Sequence, residues 1–204
     1  MSLQEVMRQG ALALGVDVSD EALEGLSIYL EVLKKWSLAK NLVGPGDPRS
    51  WAALHVSDAF ALLPHLDGCR TLVDIGSGAG LPGAILAFAR PDLQVTAVEP
   101  LAKRHAFLRT VIRELGLSNL VAEHSRDGEF RSRTDFVAYD AAVSRAVWAP
   151  DLWLERGISL VKPGGRVLAL EGKEAIELPA GVERFAYQIE GRERAVLVRR
   201  RGSG

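Results

Sequence analysis

The chain has 204 residues, a formal net charge of −1 and a single cysteine. The length suits one domain with a modest appendage; near neutrality argues against a general polyanion-binding surface, so any nucleic-acid contact has to be a local patch. One cysteine, Cys69, excludes an intrachain disulfide and a cysteine zinc cluster, and no apolar run is long enough to span a bilayer.

The opening MSLQEVMRQG lacks the apolar stretch of a signal peptide, and a cytoplasmic location is expected. Residues 1–68 carry five Lys/Arg against nine Asp/Glu and are acidic. Residues 3–14 and 20–38 have helical periodicity; in the second, Leu23, Leu26, Leu30, Leu33 and Trp36 recur on one face behind a Ser19 cap. After Asn41-Leu42-Val43-Gly44-Pro45-Gly46 breaks the pattern, Asp47-Pro48 predicts the cap and first residue of a helix running to about Leu66. The pattern changes at residue 71. Short apolar strands are predicted at 71–75, 94–98, 119–123, 139–144 and 166–170, with helices near 81–90, 102–115 and 150–160 between them. Such alternation specifies a parallel sheet covered by helices. Residues 184–190 and 194–200, joined by a turn at Gly191, predict an antiparallel edge hairpin, and Arg199-Arg200-Arg201 reads as a solvated tail. The expected organisation is an N-terminal helical extension (1–68) packed as one unit with an α/β domain (69–200).

The strongest local signal is Val73-Asp74-Ile75-Gly76-Ser77-Gly78-Ala79-Gly80-Leu81-Pro82-Gly83, set between a strand and a helix. Glycines there permit a sharp turn and close approach of a ligand to backbone amides. Glu99, ending the next strand, is placed to accept the hydroxyls of a ribose. Two cofactors fit this geometry. A dinucleotide site would read G-x-G-x-x-G, but Leu81 stands where its third glycine falls, and Asp74 would set negative charge near a pyrophosphate. S-adenosylmethionine, whose methionine moiety is cationic, suits Asp74 better; a tight turn with no ligand is the bland reading. Asp127-Gly128 follow the third strand, where Asp127 can hold an adenine amino group and the Gly128 amide can face the ring; a plain solvated turn is the alternative. Arg145 follows the fourth strand where the cleft should open, available to a cofactor carboxylate, a phosphate or guanine O6, or paired structurally with Asp140. Lys103, Arg104, Arg126 and Lys173 form either a basic rim or ordinary surface, and His55 is either a core histidine or a site residue.

The run Asp74 to Gly83, Lys103-Arg104 with Phe107-Leu108, Val143-Ser144-Arg145-Ala146, and upstream Trp36, Asn41-Leu42, His55 and Asp58 together resemble the bacterial 16S ribosomal RNA guanine-N7 methyltransferase G family, also called the glucose-inhibited division protein B family. The resemblance spans about residues 20–200. It implies a Rossmann-like S-adenosylmethionine-dependent methyltransferase fold with a mostly parallel seven-stranded sheet. It also implies methylation of a guanine N7 in the 530 loop of 16S rRNA (position 527 in the usual ribosomal count). The partner would be 16S rRNA or the small ribosomal subunit, and the protein a monomer. Cofactor contacts are implied at Gly76, Leu81, Asp127, Gly128 and Arg145, beside Asp74, Gly78, Gly80 and Glu99 from the loop argument, and RNA contacts at His55, Lys103, Arg104, Arg126 and Lys173. Two departures stand out: Glu171 occupies the place of a family lysine, and Gly128 that of a glutamate.

Guanine N7 carries a free in-plane lone pair and loses no proton on methylation, so this chemistry needs alignment rather than a base. Pyrimidine C5 methylation would need a nucleophilic cysteine, and Cys69 lies before the first strand. Amino-nitrogen methylation often uses Asn/Asp-Pro-Pro-aromatic where this chain has Ser144-Arg145-Ala146-Val147, and His55, His65, His105 and His124 form no metal-ligand pattern. A methyltransferase of the same fold acting on a small molecule or protein, and a non-catalytic cofactor-binding assembly protein, remain the alternatives. The loop chemistry predicts that calorimetry detects S-adenosylmethionine or S-adenosylhomocysteine and no NAD; tight NAD binding with no response to either nucleoside would contradict it.

Overall fold

The computed structural model describes residues 1–40, 42–171 and 178–202. Asn41 and Lys173 therefore lie outside the described residues. Seven strands form one sheet in the order β3-β2-β1-β4-β5-β7-β6: β1 (Thr71–Ile75), β2 (Gln94–Val98), β3 (Leu120–Glu123), β4 (Tyr139–Ser144), β5 (Val161–Glu171), β6 (Val182–Ile189) and β7 (Arg192–Arg200). The first five are mutually parallel, and β7 runs antiparallel between β5 and β6. Strand order reverses between β1 and β4, and the crevice outside such a reversal is where open α/β sheets hold ligands.

Inner strands buried on both faces need apolar residues pointing each way. In β1, Leu72 joins the cluster that includes the N-terminal helices, and Val73 and Ile75 join the cluster beneath Trp153. The hairpin turns at Glu190-Gly191, both with positive φ. Arg199 and Arg200 belong to β7, and Arg201 donates to the Val161 carbonyl at 2.7 Å. The solvated-tail expectation is thus corrected: the strand continues because its backbone pairs with β5 and with Gly165.

Helices α1 (Leu3–Ala13) and α2 (Asp20–Lys40) match their predicted spans, and α5 (Gly83–Ala89) and α6 (Ala102–Leu115) flank β2. The single helix expected from 48 to 66 is broken. Asp47 caps α3 (Pro48–Trp51), as the Asp-Pro pair predicts; a π-turn at Ala52–Val56, α4 (Ser57–Phe60) and a 3₁₀ turn at Leu63–Leu66 follow. Apolar spacing cannot report this change of winding, because buried positions occur throughout Trp51–Leu66. The remaining helices are α7 (Asp127–Arg131) and α8 (Pro150–Arg156), the latter passing into a 3₁₀ turn at Gly157–Leu160.

The N-terminal helices share a core with the sheet: one cluster contains Met7, Leu26, Leu30 and Phe60 together with Leu72, Phe107 and Val196. Tyr29, fully buried, packs its ring tilted against Phe88 of α5 and Phe107 of α6, each with centroids 6.1 Å apart. Trp36 meets Phe107 edge-on at 5.6 Å. The Tyr29 hydroxyl donates to the Ala79 carbonyl at 2.7 Å, tying α2 directly to the glycine loop. Tyr29→Phe keeps the packing and orphans that carbonyl, so it is expected to lower stability by about 1–2 kcal/mol. Urea unfolding should show a lower midpoint with an unchanged slope; an unchanged midpoint would contradict a structural role for this bond.

Candidate active site

The glycine loop is shaped from inside by two buried acids. Asp74, 0% exposed near the end of β1, accepts from Ser77 Oγ at 2.7 Å and from the Gly83 amide at 2.8 Å, both on Oδ2. Its Oδ1 is buried without a hydrogen-bond partner among the described residues. Burial pushes the Asp74 carboxyl up from 3.8 to about 6, against the lowering effect of those two hydrogen bonds and of the Arg145 charge. Glu99, 2% exposed, follows β2 and accepts the Gly78 amide and the Leu101 amide, each at 2.8 Å. Its expected role toward a ribose therefore sits beside a structural one, since both carboxylate oxygens already hold backbone.

Two glycines have identifiable steric reasons. Gly76 has φ +70, and a Cβ there would collide with Val147 Cγ2. Gly80 has φ +91, and a Cβ would lie 2.6 Å from the Ala84 Cβ, so Gly80 serves the packing of loop against α5.

A cleft of about 510 Å³ opens beside the loop. Gly76, Gly78 and Leu81 line it from the loop, Leu42, Trp51 and His55 from the N-terminal segment, and Arg104, Arg145 and Val147 complete the lining. Of the residues singled out in the sequence, the cleft thus gathers Gly76, Gly78, Leu81, Arg145, His55 and Arg104. Asp74, Gly80 and Glu99 lie behind the loop. Lys103 and Arg126 are exposed, outside the cleft lining. Asp127 and Gly128 open α7 and are not among the cleft-lining residues: the Asp127 carboxylate holds Arg131 and, at 3.1 Å, Arg156, while Gly128 is exposed. Asp127 thereby staples α7 to α8.

Arg145 follows β4, whose last residue Ser144 donates to the Ile75 carbonyl at 2.8 Å and so joins the ends of β4 and β1. Its partner is not Asp140. That acid sits at the start of β4, the other end of the strand, and takes the Arg70 and Thr71 amides, the Thr71 hydroxyl and Lys162. Arg145 Nη1 lies 3.0 Å from His55 Nδ1. Burial, aided by the Arg145 and Arg194 charges, pulls His55 down from 6.5 to about 4. Nearby Asp58, 1% exposed, accepts from the Tyr187 hydroxyl and Arg194 Nη2, both at 2.9 Å. Sequence reasoning missed Tyr29, Tyr187 and Arg194, because no local motif announces a side chain that reaches across the fold. Glu171, in the place of a family lysine, is buried and pairs with Arg184 of β6 at 2.7 Å.

The residues fit a cationic cofactor. Among the described residues, Asp74 Oδ1 is a buried acceptor without a partner inside the loop and Trp51 Nε1 a buried donor without one in a cleft-lining residue, and the Gly78 amide that a pyrophosphate would seek is given to Glu99. The family model for rRNA small subunit methyltransferase G matches residues 22–198. The chain belongs to that family. It is 41% identical to the ribosomal RNA small subunit methyltransferase G of Anaeromyxobacter sp. (strain Fw109-5), covering 84% of this chain and 79% of that one. The Neisseria meningitidis serogroup B protein of the same name is 36% identical over 84% and 81%. Among solved structures, the O-methyltransferase TomG from Streptomyces achromogenes, in complex with SAM, superposes with a TM-score of 0.61 at 15% identity, covering 99% of this chain and 100% of that one. TrmN from Thermus thermophilus gives 0.53 at 24% identity, over 72% and 48%. These last two share the fold. The chain is an S-adenosylmethionine-dependent rRNA methyltransferase of a guanine-N7 methyltransferase family.

Because the folded protein binds a proton at Asp74 more readily than the unfolded chain, the penalty of the charged form is absent below pH 3.8 and full above about 6. At pH 7.5 it is on the order of 3 kcal/mol. Asp74→Asn is therefore expected to raise the melting temperature of the cofactor-free protein at pH 7.5, with a smaller gain at pH 5, while weakening S-adenosylmethionine at least tenfold. A variant less stable than wild type at pH 7.5 would show that the charged form is needed for the loop itself.

Proposed function

We propose that this methyltransferase acts on N7 of a guanine in the 530 loop of 16S rRNA, position 527, with 16S rRNA or the small ribosomal subunit as partner, as a monomer in the cytoplasm. The observation that carries the reading is the composition of the cleft. It joins the glycine loop to Arg145, and its lining among the described residues includes no carboxylate, cysteine or lysine. The one imidazole there, His55, has its Nδ1 against Arg145. A cleft so furnished suits an acceptor atom that gives up no proton. S-adenosylmethionine, when bound, supplies the electrophilic methyl group.

The protein's own contribution is placement, which in well-oriented reactions accounts for roughly 7–11 kcal/mol. Gly76, Gly78 and Leu81 would hold the cofactor from the loop side, with Asp74 and Glu99 fixing the loop's shape and Gly80 its packing. Asp127 and Gly128 would bound the adenine end through α7. Arg145 would orient the cofactor carboxylate, an RNA phosphate or the O6 edge of guanine. Arg104 in the cleft lining, with exposed Lys103 and Arg126, supports an RNA-facing rim; Lys173, outside the described residues, is a further proposed RNA contact. For a near-neutral chain such a local rim is the available electrostatic handle.

If Arg145 orients either reactant, Arg145→Ala is expected to slow single-turnover methyl transfer on ribosomal subunits by about 100-fold with little change in melting temperature. Arg145→Lys should recover little, because an ammonium lacks the planar forked donor set. Wild-type melting together with a wild-type rate in Arg145→Ala would remove Arg145 from the site.

A further inference from the structure

The contact between His55 and Arg145 fixes more than a distance. A guanidinium has donors only, so the 3.0 Å approach of Arg145 Nη1 makes His55 Nδ1 the acceptor. The imidazole is then neutral, with its proton on Nε2. Burial and the flanking Arg145 and Arg194 charges hold it in that state, its pKa near 4. A histidine that met RNA as a cation would need the opposite protonation.

The segment carrying His55 is itself held. His55 lies in the π-turn, and Asp58 one turn on is buried against the C-terminal hairpin. Tyr187 of β6 and Arg194 of β7, directly opposite each other in the hairpin, both donate to the Asp58 carboxylate. The hairpin thereby grips the N-terminal segment at Asp58, and the N-terminal segment meets Arg145 through His55.

We infer that His55 is a positioning residue, a neutral Nδ1 acceptor that orients the Arg145 guanidinium at the cleft, and that the Asp58–Tyr187–Arg194 cluster fixes the segment from which it acts. The inference rests on the reading that Arg145 touches a reactant. It is an alternative to the expectation that His55 binds RNA.

The test compares His55→Asn, His55→Gln and His55→Ala by single-turnover methyl transfer on small ribosomal subunits, cofactor calorimetry and melting. The Asn side-chain oxygen can occupy the place of Nδ1, whereas the Gln oxygen sits one bond farther out, near Nε2. His55→Ala is expected to lose about tenfold or more in rate, the weight of one hydrogen bond to a charged group; His55→Asn should stay within about threefold of wild type and His55→Gln should resemble Ala. In an Arg145→Ala background, His55→Ala should add no further loss, since the two act as one unit. Equal losses in Asn, Gln and Ala, or a wild-type rate in His55→Ala, would overturn the inference. So would a His55→Ala effect confined to the KM for subunits and its salt dependence, which would mark an RNA contact. If Arg145→Ala alone leaves transfer intact, the reading of Arg145 fails; if Arg145→Ala is slow and His55→Ala is not, only the positioning role of His55 fails.

Discussion

A carboxylate buried at the end of a central strand is the constraint from which the rest of the site follows. Asp74 has no exposure and no ion-pair partner in contact among the described residues, so its charge is tolerated mainly through short hydrogen bonds. Those bonds reach Ser77 at one side of the glycine loop and Gly83 at the other, so that compensating Asp74 also sets the loop's span. Glu99 repeats the arrangement from the neighbouring strand. The parallel register pairs Ile75 with Val98, which puts Glu99 level with the loop, where it takes the Gly78 amide. The Gly78 amide is therefore taken by Glu99 and the Gly83 amide by Asp74, which sets two buried carboxyl groups behind the loop. A cationic ligand is favoured there, and an anionic one is opposed by both geometry and charge.

The second half of the site comes from the two ends of the chain. The sheet brings the ends of β1 and β4 together, but a wall is needed to make a cleft of that edge. Trp51 and His55 supply it from the N-terminal segment, and Asp58 anchors the segment to the hairpin through Tyr187 and Arg194. Tyr29 adds a direct bond from α2 to the loop. The helical extension thus shares a core with the sheet and also completes the site, so a perturbation of the hairpin should be felt at the cleft through Asp58.

What could be read from the sequence follows the range of the interactions. Strands β1 to β4 and the second half of β5 are short apolar runs between turn signals, and the loop's G-x-G-x-G spacing is a local requirement of the backbone, so both were legible, whereas the Lys162-Pro163-Gly164-Gly165 start of β5 reads as a turn. Asp47-Pro48 announced a helix start correctly for the same reason. The π-turn was not legible, since winding depends on how Trp51 and Val56 pack against distant helices. Nor were the partners of the charged residues. Asp140 was a reasonable neighbour for Arg145 by sequence, five residues away on one strand, yet an extended strand puts those residues at opposite ends of the sheet. His55 is 90 positions from Arg145 and adjoins it only because the fold brings the N-terminal segment to β4.

That substitution of a neutral partner for an acidic one matters for what Arg145 can do. A guanidinium locked to a carboxylate presents little net charge to a ligand, and displacing the carboxylate would be costly. Here the two acids whose charge reaches Arg145 bond elsewhere: Asp58 to Tyr187 and Arg194, and Asp74, through Oδ2, to Ser77 and Gly83. The imidazole of His55 accepts one N–H of Arg145 without neutralising it, which holds the side chain in place and leaves its charge and remaining donors available. Orientation and available charge usually compete for the same counter-ion; a neutral histidine supplies the first without removing the second.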